Sequence, residues 1–563
     1  MYMEEKAGGF ISKIIFNNGA ALDVEKNGIV VFVGPNNVGK SQALKDIYAL
    51  SEKGQNGLVV SGVEITKSGA SLVGLLDSIS TGRKDGGFTY YEVLGNRIAL
   101  YDSLVRDFPT SPYYWSLRSL FMVELSTAAR LSICAPPQNI TRDAPKTHPI
   151  HYAAFESEHR KWLSDNFKKA FNVEVTPNIL NGANIPLCIG EPVRLNGAYS
   201  DSQEHLEAYA GVLSGYRQVQ NQGDGIKSFT GILLYLMLDY FRTYLIDEPE
   251  SFLHPPQARI MGQIIGEALS NDQQAFISTH SEDIIKGLIE ACPERVTIVR
   301  ITREGDSNSF SVLDNEKLGT VWNDPLLKYS NIMSSLFHKT VVLCESDSDC
   351  RMYSLIEGHL KQASGRYSET LFIHCGGKQR MSRIASALRA LDIDVRLIPD
   401  IDILNDENVF RGILQAFGIG WDEVKDDYRA VVSNLHSPKE KVERAQAKAL
   451  IGAVLDSSGG QFLSKDEIAG INDAVSTVSK WKALKLSGEA AIPAGDAARA
   501  YRRIYQLLRA HGIYIVPVGE LERFIPTVGG HGPEWTNRVL DAYPDLNSEV
   551  YANIKQFISD MNL

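Results

Sequence analysis

The chain has 563 residues, 44% of them hydrophobic, and a formal net charge of −11. This length predicts three or four folded units of roughly 150 residues each. A negative charge spread evenly would repel a polyanion, so any surface that binds nucleic acid must be local. The sequence contains no apolar stretch near the roughly 18 residues that span a bilayer, and it begins without a signal-peptide pattern. We therefore expect a soluble, cytoplasmic protein without a membrane partner.

A glycine-rich octapeptide, GPNNVGKS at residues 34–41, follows the apolar run IVVFV and precedes a predicted helix. Glycines let such a loop curl so that backbone N–H groups face phosphate oxygens. Lys40 would reach the β- and γ-phosphates, and the Ser41 hydroxyl would hold Mg²⁺. The strand–loop–helix context favours an ATP site over a chance turn that ends in Lys-Ser. The predicted ligands are Gly34, Asn36, Asn37, Gly39, Lys40 and Ser41.

A second nucleotide motif lies at residues 244–250 (YLIDEPE), where an apolar strand ends in adjacent acids. Asp247 would hold the Mg²⁺, and Glu248 would polarise the attacking water as the catalytic acid of ATP hydrolysis. The run AFISTH at residues 275–280 predicts the next strand, and its terminal His280 is placed to contact a γ-phosphate.

Residues 222–228 (QGDGIKS) introduce a long apolar run that is predicted to be helical. A glycine loop that opens a helix is an anion site, and this one has no γ-phosphate partner within its own lobe. Gly223, Gly225 and Ser228 are therefore predicted to act on a nucleotide held by another subunit.

These motifs, in this order, resemble the ABC ATPases, and more closely the SMC-like repair ATPases and the OLD (overcoming lysogenisation defect) nucleases. The resemblance implies paired ATPase heads and hence a homodimer or homotetramer. It also implies a dimerisation insertion within residues 60–205. Apolar spacing in this region predicts helices at residues 118–132 and 155–171.

The second half of the chain alternates strands and helices. The predicted strands are 340–344, 370–374 and 394–398, and the predicted helices are 349–360 and 381–391. Such a βαβαβ unit forms a parallel sheet, and ligands collect at the carboxyl ends of its strands.

Acidic residues follow two of these strands: Glu345 and Asp349 after the first, and Asp400 and Asp402 after the third. Carboxylates that converge at one edge repel each other unless cations neutralise them. Oxygen ligands select Mg²⁺ or Mn²⁺, and two such ions can clamp both oxygens of a phosphodiester exchange. The alternative is that the acids cap strand ends on a solvated rim. The spacing of ExxxD followed by DxD favours the metal site.

The acids resemble the metal-binding pattern of the Toprim domain, with Glu345 and Asp349 in CESDSDC and Asp400 and Asp402 in LIPDIDI. In that resemblance Glu345 and Asp400 are also catalytic, and Lys378 in HCGGK contacts a phosphate.

The GELE segment after a predicted strand at residues 512–518 resembles the element that completes the second metal site of OLD nucleases, which implies Glu520 and Glu522 as ligands. The family also uses a late lysine to stabilise charge, and Lys555 is the lysine that follows Glu520.

A helical insertion at about residues 404–510 separates the DxD and GELE segments, and its part from residue 437 onward is net basic. On charge alone this is a solvated helical surface. Its position beside the acids instead favours contact with nucleic-acid phosphates, through predicted helices at residues 437–455 and 494–511.

The predicted fold is α/β, with an ABC/SMC-like ATPase head at residues 1–335 and a Toprim domain, a Rossmann-like parallel sheet, at residues 336–563. This fusion resembles the OLD-family endonucleases, which include the Gabija nuclease and retron-associated effectors. It implies ATP-regulated, Mg²⁺-dependent (or Mn²⁺-dependent) cleavage of DNA in antiphage defence, with a partner protein or retron nucleic acid.

Three alternatives remain. The same chemistry could cleave RNA such as tRNA, and the chain could instead be a non-catalytic, ATP-dependent sensor or scaffold. A topoisomerase would need a tyrosine nucleophile in a separate breakage domain, for which the chain has no room.

Overall fold

The computed structural model describes residues 8–54, 57–68, 71–80, 82–85, 88–191, 193, 202–238, 241–305, 307–313, 332–435, 444–456, 462–464, 467–468, 470–471 and 480–563. The chain divides into two compact units, Met1–Thr320 and Val321–Leu563. The predicted helix at residues 437–455 begins outside the described residues. Among the described residues, no helix combines the length and hydropathy needed to cross a bilayer.

The first unit contains both strands and helices. Its strands are β1 (Gly8–Phe16), β2 (Ala21–Asp23), β3 (Ile29–Val33), β4 (Val60–Ser68), β5 (Arg83–Asp85), β6 (Phe88–Val93), β7 (Asn96–Leu100), β8 (Met122–Leu125), β9 (Glu174–Pro177), β10 (Leu187–Gly190), β11 (Arg217–Gln218), β12 (Thr243–Asp247), β13 (Gln274–Ser278), β14 (Val296–Glu304) and β15 (Ser307–Leu313). Its helices are α1 (Lys40–Glu52), α2 (Leu72–Ile79), α3 (Asp102–Asp107), α4 (Arg118–Phe121), α5 (Thr127–Ser132), α6 (Pro149–Phe155), α7 (Ser157–Phe171), α8 (Ser202–Ser214), α9 (Asp224–Leu236), α10 (Pro255–Ala268) and α11 (Glu282–Ala291).

The central sheet of this unit has the strand order β15-β14-β3-β13-β12-β8 among the described residues. All neighbouring pairs are parallel except β14 with β15. Every residue of β3 is buried, as expected for an apolar, β-branched run in the middle of a parallel sheet. Asp247 pairs with Ser278, and Ser278 pairs with Phe32, so the carboxyl ends of β12, β13 and β3 meet at one edge. This edge brings the two predicted nucleotide motifs together.

The predicted helix at residues 118–132 is wrong. The segment instead forms α4, then the edge strand β8, then α5. β8 pairs in parallel with β12, with Met122 opposite Thr243. The four residues of β8, three of them apolar, fit a helix or a strand equally well from their pattern, and pairing with a strand distant in sequence decided the outcome.

The first unit also contains smaller antiparallel sheets with the strand orders β2-β1-β4, β5-β6-β7 and β11-β10-β9. The β5-β6-β7 sheet lies within the predicted insertion at residues 60–205, as do β9 and β10, whereas β11 lies beyond it. The predicted helix at residues 155–171 is observed as α7, which begins at Ser157.

The second unit has strands β16 (Thr340–Cys344), β17 (Thr370–His374) and β18 (Asp394–Ile398). Its helices are α12 (Asp347–Ala363), α13 (Met381–Ala390), α14 (Glu407–Ala416), α15 (Trp421–Leu435), α16 (Arg444–Asp456), α17 (Lys480–Ser487), α18 (Asp496–Ala510), α19 (Gly532–Ala542) and α20 (Ala552–Ser559). Short 3₁₀ turns include Ile401–Asn405 and Leu521–Phe524.

The predicted parallel sheet is confirmed, with β16 between β17 and β18. Cys344 pairs with both His374 and Ile398, so the three carboxyl ends lie level. The strand predicted at residues 512–518 does not form as a regular strand. Its Ile513 makes a single parallel bridge to Leu397, and the extended segment continues beside β18 through a bond from Val516 N to Pro399 O of 3.1 Å. Glycine at 512 and proline at 517 interrupt the ladder.

One apolar cluster fixes the GELE region against the sheet. It joins Val342 of β16 and Ile356 of α12 to Leu521, Trp535 of α19 and Phe557 of α20. Packing of this cluster therefore decides where the acids after residue 519 lie relative to those after β16.

Candidate functional site

The phosphate loop between β3 and α1 has a backbone that requires glycine. Gly34 and Gly39 have φ of 138° and 100°, and a Cβ on Gly34 would lie 2.1 Å from Ile301 O. Asn37, with φ of 62°, also adopts the left-handed conformation, which asparagine tolerates. Asn36 and Asn37 are exposed at the loop tip, and Ser41 lies in the first turn of α1.

Lys40 is buried beneath this loop. Its Nζ donates to Gly34 O at 2.9 Å and to Pro35 O at 2.7 Å. Burial lowers the Lys40 pKa to about 8, against the opposing charge of Glu248, Glu250 and Asp247. The ammonium is thus held by carbonyl oxygens at the point where phosphate oxygens would be stronger acceptors.

The acids at the carboxyl end of β12 lie beside His280. The Ser278 hydroxyl donates to Asp247, and His280 Nε2 lies 3.7 Å from Glu248 Oε1. The backbone N–H of His280 donates to Glu250 Oε1 at 2.6 Å. Burial and the charge of Lys40 lower the His280 pKa, which favours the neutral ring. The structure therefore brings Lys40, Asp247, Glu248 and His280 to one sheet edge.

Arg130, which the sequence analysis did not identify, holds these acids in place. It is 0% exposed and donates to the carbonyl oxygens of Asp247, Glu248 (3.0 Å) and Leu125 (2.8 Å). Glu248 has φ of 47°, a strained value for a residue with a side chain. A buried guanidinium that binds two successive carbonyls fixes this conformation. Only the tertiary structure reveals it, because Arg130 follows the unpredicted strand β8.

The predicted signature residues open α9, with Gly223 as its N-cap. A Cβ on Gly225 would lie 2.6 Å from Phe252 O, so glycine is needed for close approach to the loop after Glu250. Ser228 is 0% exposed, and its hydroxyl accepts from Arg130 Nε at 3.1 Å. In this conformation Ser228 makes an internal contact, and its predicted contact with a nucleotide on another subunit would require that contact to open.

A first acid group in the second unit consists of Glu345, Asp400 and Asp402, whose nearest carboxylate oxygens all lie within 4.8 Å of one another. Glu345 directly follows β16, and the other two lie in the turn after β18. Glu345 Oε2 and Asp402 Oδ1 are buried without a hydrogen-bond partner. Burial, and then the charge of Glu345, raise the Asp400 pKa well above its ordinary value. A divalent cation would satisfy these oxygens and relieve their repulsion, so the residues fit a metal.

Asp349 is not in that group. Its Oδ2 accepts from the backbone of Ser346 at 2.8 Å, which closes a capping box at the start of α12. Burial raises the Asp349 pKa, and the negative charge of Glu522 raises it further. Asp349 is therefore a helix cap whose carboxylate is close enough to feel the charge of a second acid group.

This second group consists of Glu520, Glu522 and His531, again with ligand atoms within 4.8 Å of one another. Glu520 is 3% exposed and accepts from Arg523 Nε at 3.1 Å. His531 was not predicted as a site residue. Its signal in the sequence is the segment GGHGP, a histidine between glycines shortly after GELE.

Lysines lie beside both groups. Lys378 Nζ is 3.1 Å from Asp402 Oδ2. Lys485 Nζ is 3.7 Å from Asp400 Oδ2 and 3.5 Å from Glu520 Oε2, so it links the two groups. Lys555 lies half-buried on α20, and no contact joins it to either acid group in the described parts of the chain. The lysine that reaches both acid groups is therefore Lys485, from within the basic insertion.

Two arginines of α18 form ion pairs with acids of other elements. Arg503 pairs with Asp427 of α15, and Arg509 pairs with Asp560 at 3.3 Å. Part of the predicted basic surface is thus neutralised within the second unit, and its proposed contact with nucleic acid stays a prediction.

Comparisons with known proteins match one segment in each half of the chain. Residues 195–285 match the family described as "AAA domain, putative AbiEii toxin, Type IV TA system". Residues 336–402 match "Overcoming lysogenization defect protein-like, TOPRIM domain". The latter segment runs from before β16 to Asp402, and it therefore contains the first acid group.

Two relatives are named as nucleases. The chain is 22% identical over 323 residues to the Old nuclease of Escherichia phage P2, covering 55% of this chain and 48% of that protein. It is 26% identical over 170 residues to the OLD nuclease of Thermus scotoductus, covering 29% of this chain and 31% of that protein. The matched segments thus span about half and about a third of those relatives.

Among solved structures, an SMC head bound to the C-terminal winged-helix domain of ScpA is 14% identical. The match covers 57% of this chain and 100% of the SMC head chain, with a TM-score of 0.32. The two family matches and the named relatives confirm the resemblance predicted from the motifs. The chain carries an AAA ATPase domain and an OLD-like TOPRIM domain, and it fits the ATPase–TOPRIM fusion of the OLD family.

Proposed function

We propose that this protein is an ATP-regulated, divalent-metal-dependent endonuclease that hydrolyses DNA phosphodiesters. The observation that carries the proposal is the convergence of Glu345, Asp400 and Asp402 within 4.8 Å, joined through Lys485 to the buried Glu520. The nuclease names of the phage P2 and Thermus scotoductus relatives support the reaction class.

The two acid groups would hold the metal ions. Glu345, Asp400 and Asp402 would bind one, and Glu520 with Glu522 the other, with Asp349 beside them. When bound, Mg²⁺ or Mn²⁺ supplies charge neutralisation and lowers the pKa of a coordinated water. The buried, unpartnered oxygens of Glu345 and Asp402 are the feature that favours such occupancy.

The two lysines supply fixed positive charge beside these acids. Lys485 takes the charge-stabilising role that the family resemblance implied for Lys555, because its ammonium is the one that reaches Asp400 and Glu520. Lys378, at 3.1 Å from Asp402, orients that carboxylate and offers a donor to a phosphate oxygen. Both side chains are about one-fifth to two-fifths exposed, so a backbone phosphate can approach them.

The first unit would bind ATP and Mg²⁺. Lys40 and the loop N–H groups would hold the phosphates, Ser41 and Asp247 the Mg²⁺, and Glu248 would orient the attacking water. Nucleotide binding would control nuclease access in a homodimer or homotetramer. Prokaryotic antiphage defence, with a partner protein or retron nucleic acid, is the role that the family implies.

The test compares cleavage by the parent protein with that by Glu345→Gln and Asp400→Asn, which keep the side-chain volume but remove the charge. Supercoiled plasmid, linear DNA and matched RNA are incubated with Mg²⁺ or Mn²⁺, and ATP binding is measured in parallel. We expect both variants to lose cleavage by at least about a hundredfold while binding ATP normally. Lys40→Ala should lose ATP binding and alter the regulation of cleavage.

Each other outcome rejects a stated part of the proposal. Cleavage by both carboxylate variants at the parent rate would show that the acid groups are not the active centre. Cleavage of RNA but not DNA would replace the substrate, and ATP hydrolysis without any cleavage would favour a sensor or scaffold.

A further inference from the structure

His531 presents both ring nitrogens to carboxylates of the second acid group. Its Nδ1 lies 3.1 Å from Glu522 Oε1, and its Nε2 lies 4.0 Å from Glu520 Oε1. The first distance is a hydrogen bond, and the second is too long for one. When Nδ1 carries the proton that it donates to Glu522, the Nε2 lone pair is free on the side of Glu520.

The loop that carries the ring is anchored, although the His531 side chain is 69% exposed. Gly530 and Gly532 have φ of 117° and 60° on either side of it. Gly532 N donates to Glu522 Oε1 at 2.9 Å, and Trp535 Nε1 donates to Val528 O at 3.1 Å. These bonds hold the histidine and Glu522 in one arrangement.

This arrangement matches a metal-binding imidazole better than a plain ion pair. Metal-binding histidines donate their second N–H to a carboxylate, which sets the tautomer and the ring orientation. A ligand nitrogen and a ligand oxygen each lie about 2.1 Å from a bound transition-metal ion, so a 4.0 Å separation leaves room for a shared ion. Glu520 already accepts from Arg523, so a charged histidine is not needed to neutralise it.

We infer that His531 supplies a nitrogen ligand to the ion held at Glu520, and that this ligand makes the second site prefer Mn²⁺ over Mg²⁺. This inference rests on the proposed function and names the ion preference of its second site. Nitrogen ligands favour transition-metal ions, whereas Mg²⁺ is bound by oxygen. The first group, Glu345 with Asp400 and Asp402, offers only carboxylate oxygen, which suits both Mg²⁺ and Mn²⁺.

The experiment titrates Mn²⁺ into the metal-free full-length protein and follows free Mn²⁺ by electron paramagnetic resonance, with Mg²⁺ as competitor. The variants are His531→Ala and His531→Asn, and His511→Ala is the matched control. His511 is an exposed histidine of the same unit, whose ring contacts Leu507 O. Electron spin-echo spectra of bound Mn²⁺, with ¹⁴N- and ¹⁵N-histidine, report whether a histidine nitrogen is attached.

We expect nitrogen coupling in the parent and in His511→Ala, and its loss in both His531 variants. One class of Mn²⁺ sites should weaken by about 10- to 100-fold in His531→Ala while Mg²⁺ binding changes less. His531→Asn keeps a donor for Glu522. Recovery of parental Mn²⁺ affinity in that variant would therefore show that the ring only positions Glu522.

The inference is overturned by parental nitrogen coupling in His531→Ala or by an unchanged ratio of Mn²⁺ to Mg²⁺ affinity. Its failure is separable from that of the proposed function. If cleavage depends on Glu345 but bound Mn²⁺ shows no nitrogen coupling, the inference about His531 is rejected and the nuclease proposal stands. If bound Mn²⁺ shows nitrogen coupling but the protein cleaves neither DNA nor RNA, the nuclease proposal is rejected and the inference about His531 stands.

Discussion

The ammonium of Lys485 lies 3.5 Å from the carboxylate of Glu520. Lys485 belongs to α17 in the helical insertion, whereas Glu520 belongs to the GELE segment that follows the insertion. The same nitrogen is 3.7 Å from Asp400. The helical insertion therefore contributes a residue to the acid groups instead of only flanking them.

Substitution of Lys485 with methionine should lower the cleavage rate by about a hundredfold, because a preorganised positive charge near the reacting phosphate is lost. Steady-state cleavage of a labelled duplex measures the effect. Lys555→Met is the matched control and should cleave at nearly the parental rate, since Lys555 makes no recorded contact with the acids in the described residues. A large loss of cleavage rate in Lys555→Met, with no loss in Lys485→Met, would show that Lys555 is the charge-stabilising lysine, as the family resemblance implied.

The same variant should respond more strongly to metal. Without Lys485 the acids around Asp400 and Glu520 lose a nearby cation, so metal-free Lys485→Met should melt at a lower temperature than the parent. Added Mg²⁺ should raise its Tm by more than it raises the parental Tm, because ligand binding to the folded state stabilises it. Equal metal-induced shifts, measured by differential scanning calorimetry, would contradict this.

Arg130→Met should both destabilise the first unit and slow ATP hydrolysis. Three carbonyls lose their buried donor, and each unsatisfied group costs about 1–3 kcal/mol, so a loss of about 3 kcal/mol or more is expected in urea unfolding. The kcat of the folded fraction should fall with little change in KM, because Glu248 is no longer held in its strained conformation. Arg130→Lys should recover part of the stability.

Arg295→Met is the control for this experiment. Arg295 also donates to backbone carbonyls, those of Asn27 at 2.8 Å and Leu269 at 2.7 Å among them, but it does not contact the acids after β12 in the described structure. It should lose stability without a change in kcat of the folded fraction. A normal kcat in Arg130→Met would reduce Arg130 to a purely structural residue.

Acid should destabilise the first unit partly through His148, whose burial lowers its pKa from 6.5 to about 4. Between pH 4 and pH 6.5, His148 binds a proton in the unfolded state but not in the folded state. The contribution of the neutral ring to the free energy of unfolding is therefore complete above pH 6.5 and is lost as the pH falls toward 4. The His148 ring caps α6 by accepting from Ile150 N at 3.1 Å.

His148→Asn keeps a capping side chain and removes the titration. Its urea midpoint should therefore fall less than that of the parent between pH 7 and pH 5. Identical falls in the two proteins would show that His148 does not contribute. A residual dependence is expected from His151, whose pKa burial also lowers.

Gly34→Ala should abolish ATP binding, measured with a fluorescent analogue, because its Cβ would lie 2.1 Å from Ile301 O and force the loop to move. Gly19→Ala is the matched control. Gly19 also has positive φ, at 85°, but no described atom lies within 4 Å of its added Cβ. It should cost about 1 kcal/mol of stability and bind ATP normally. Normal ATP binding by Gly34→Ala would show that the phosphate loop is misidentified.

Local pattern was enough to predict the elements that carry the motifs. β3 and β16 are short apolar runs rich in β-branched residues, and β17 and β18 are short runs spaced between predicted helices, so their lengths and their alternation with helices predicted a parallel sheet. The rule that ligands gather at carboxyl ends then placed Glu345, Asp400 and Asp402 together.

The sequence by itself determined that an ATPase domain is joined to a TOPRIM domain, because the glycine loop, the strand-end acids and their order, which carry the family resemblance, are local properties of the chain. Only the tertiary structure decided which further side chains reach those acids. His531 follows Glu522 closely in a glycine loop, but Arg130 lies 117 residues from Asp247, and Lys485 reaches Asp400 from a separate helix. Their positions depend on strand pairing and core packing between distant segments, and no local periodicity records such contacts.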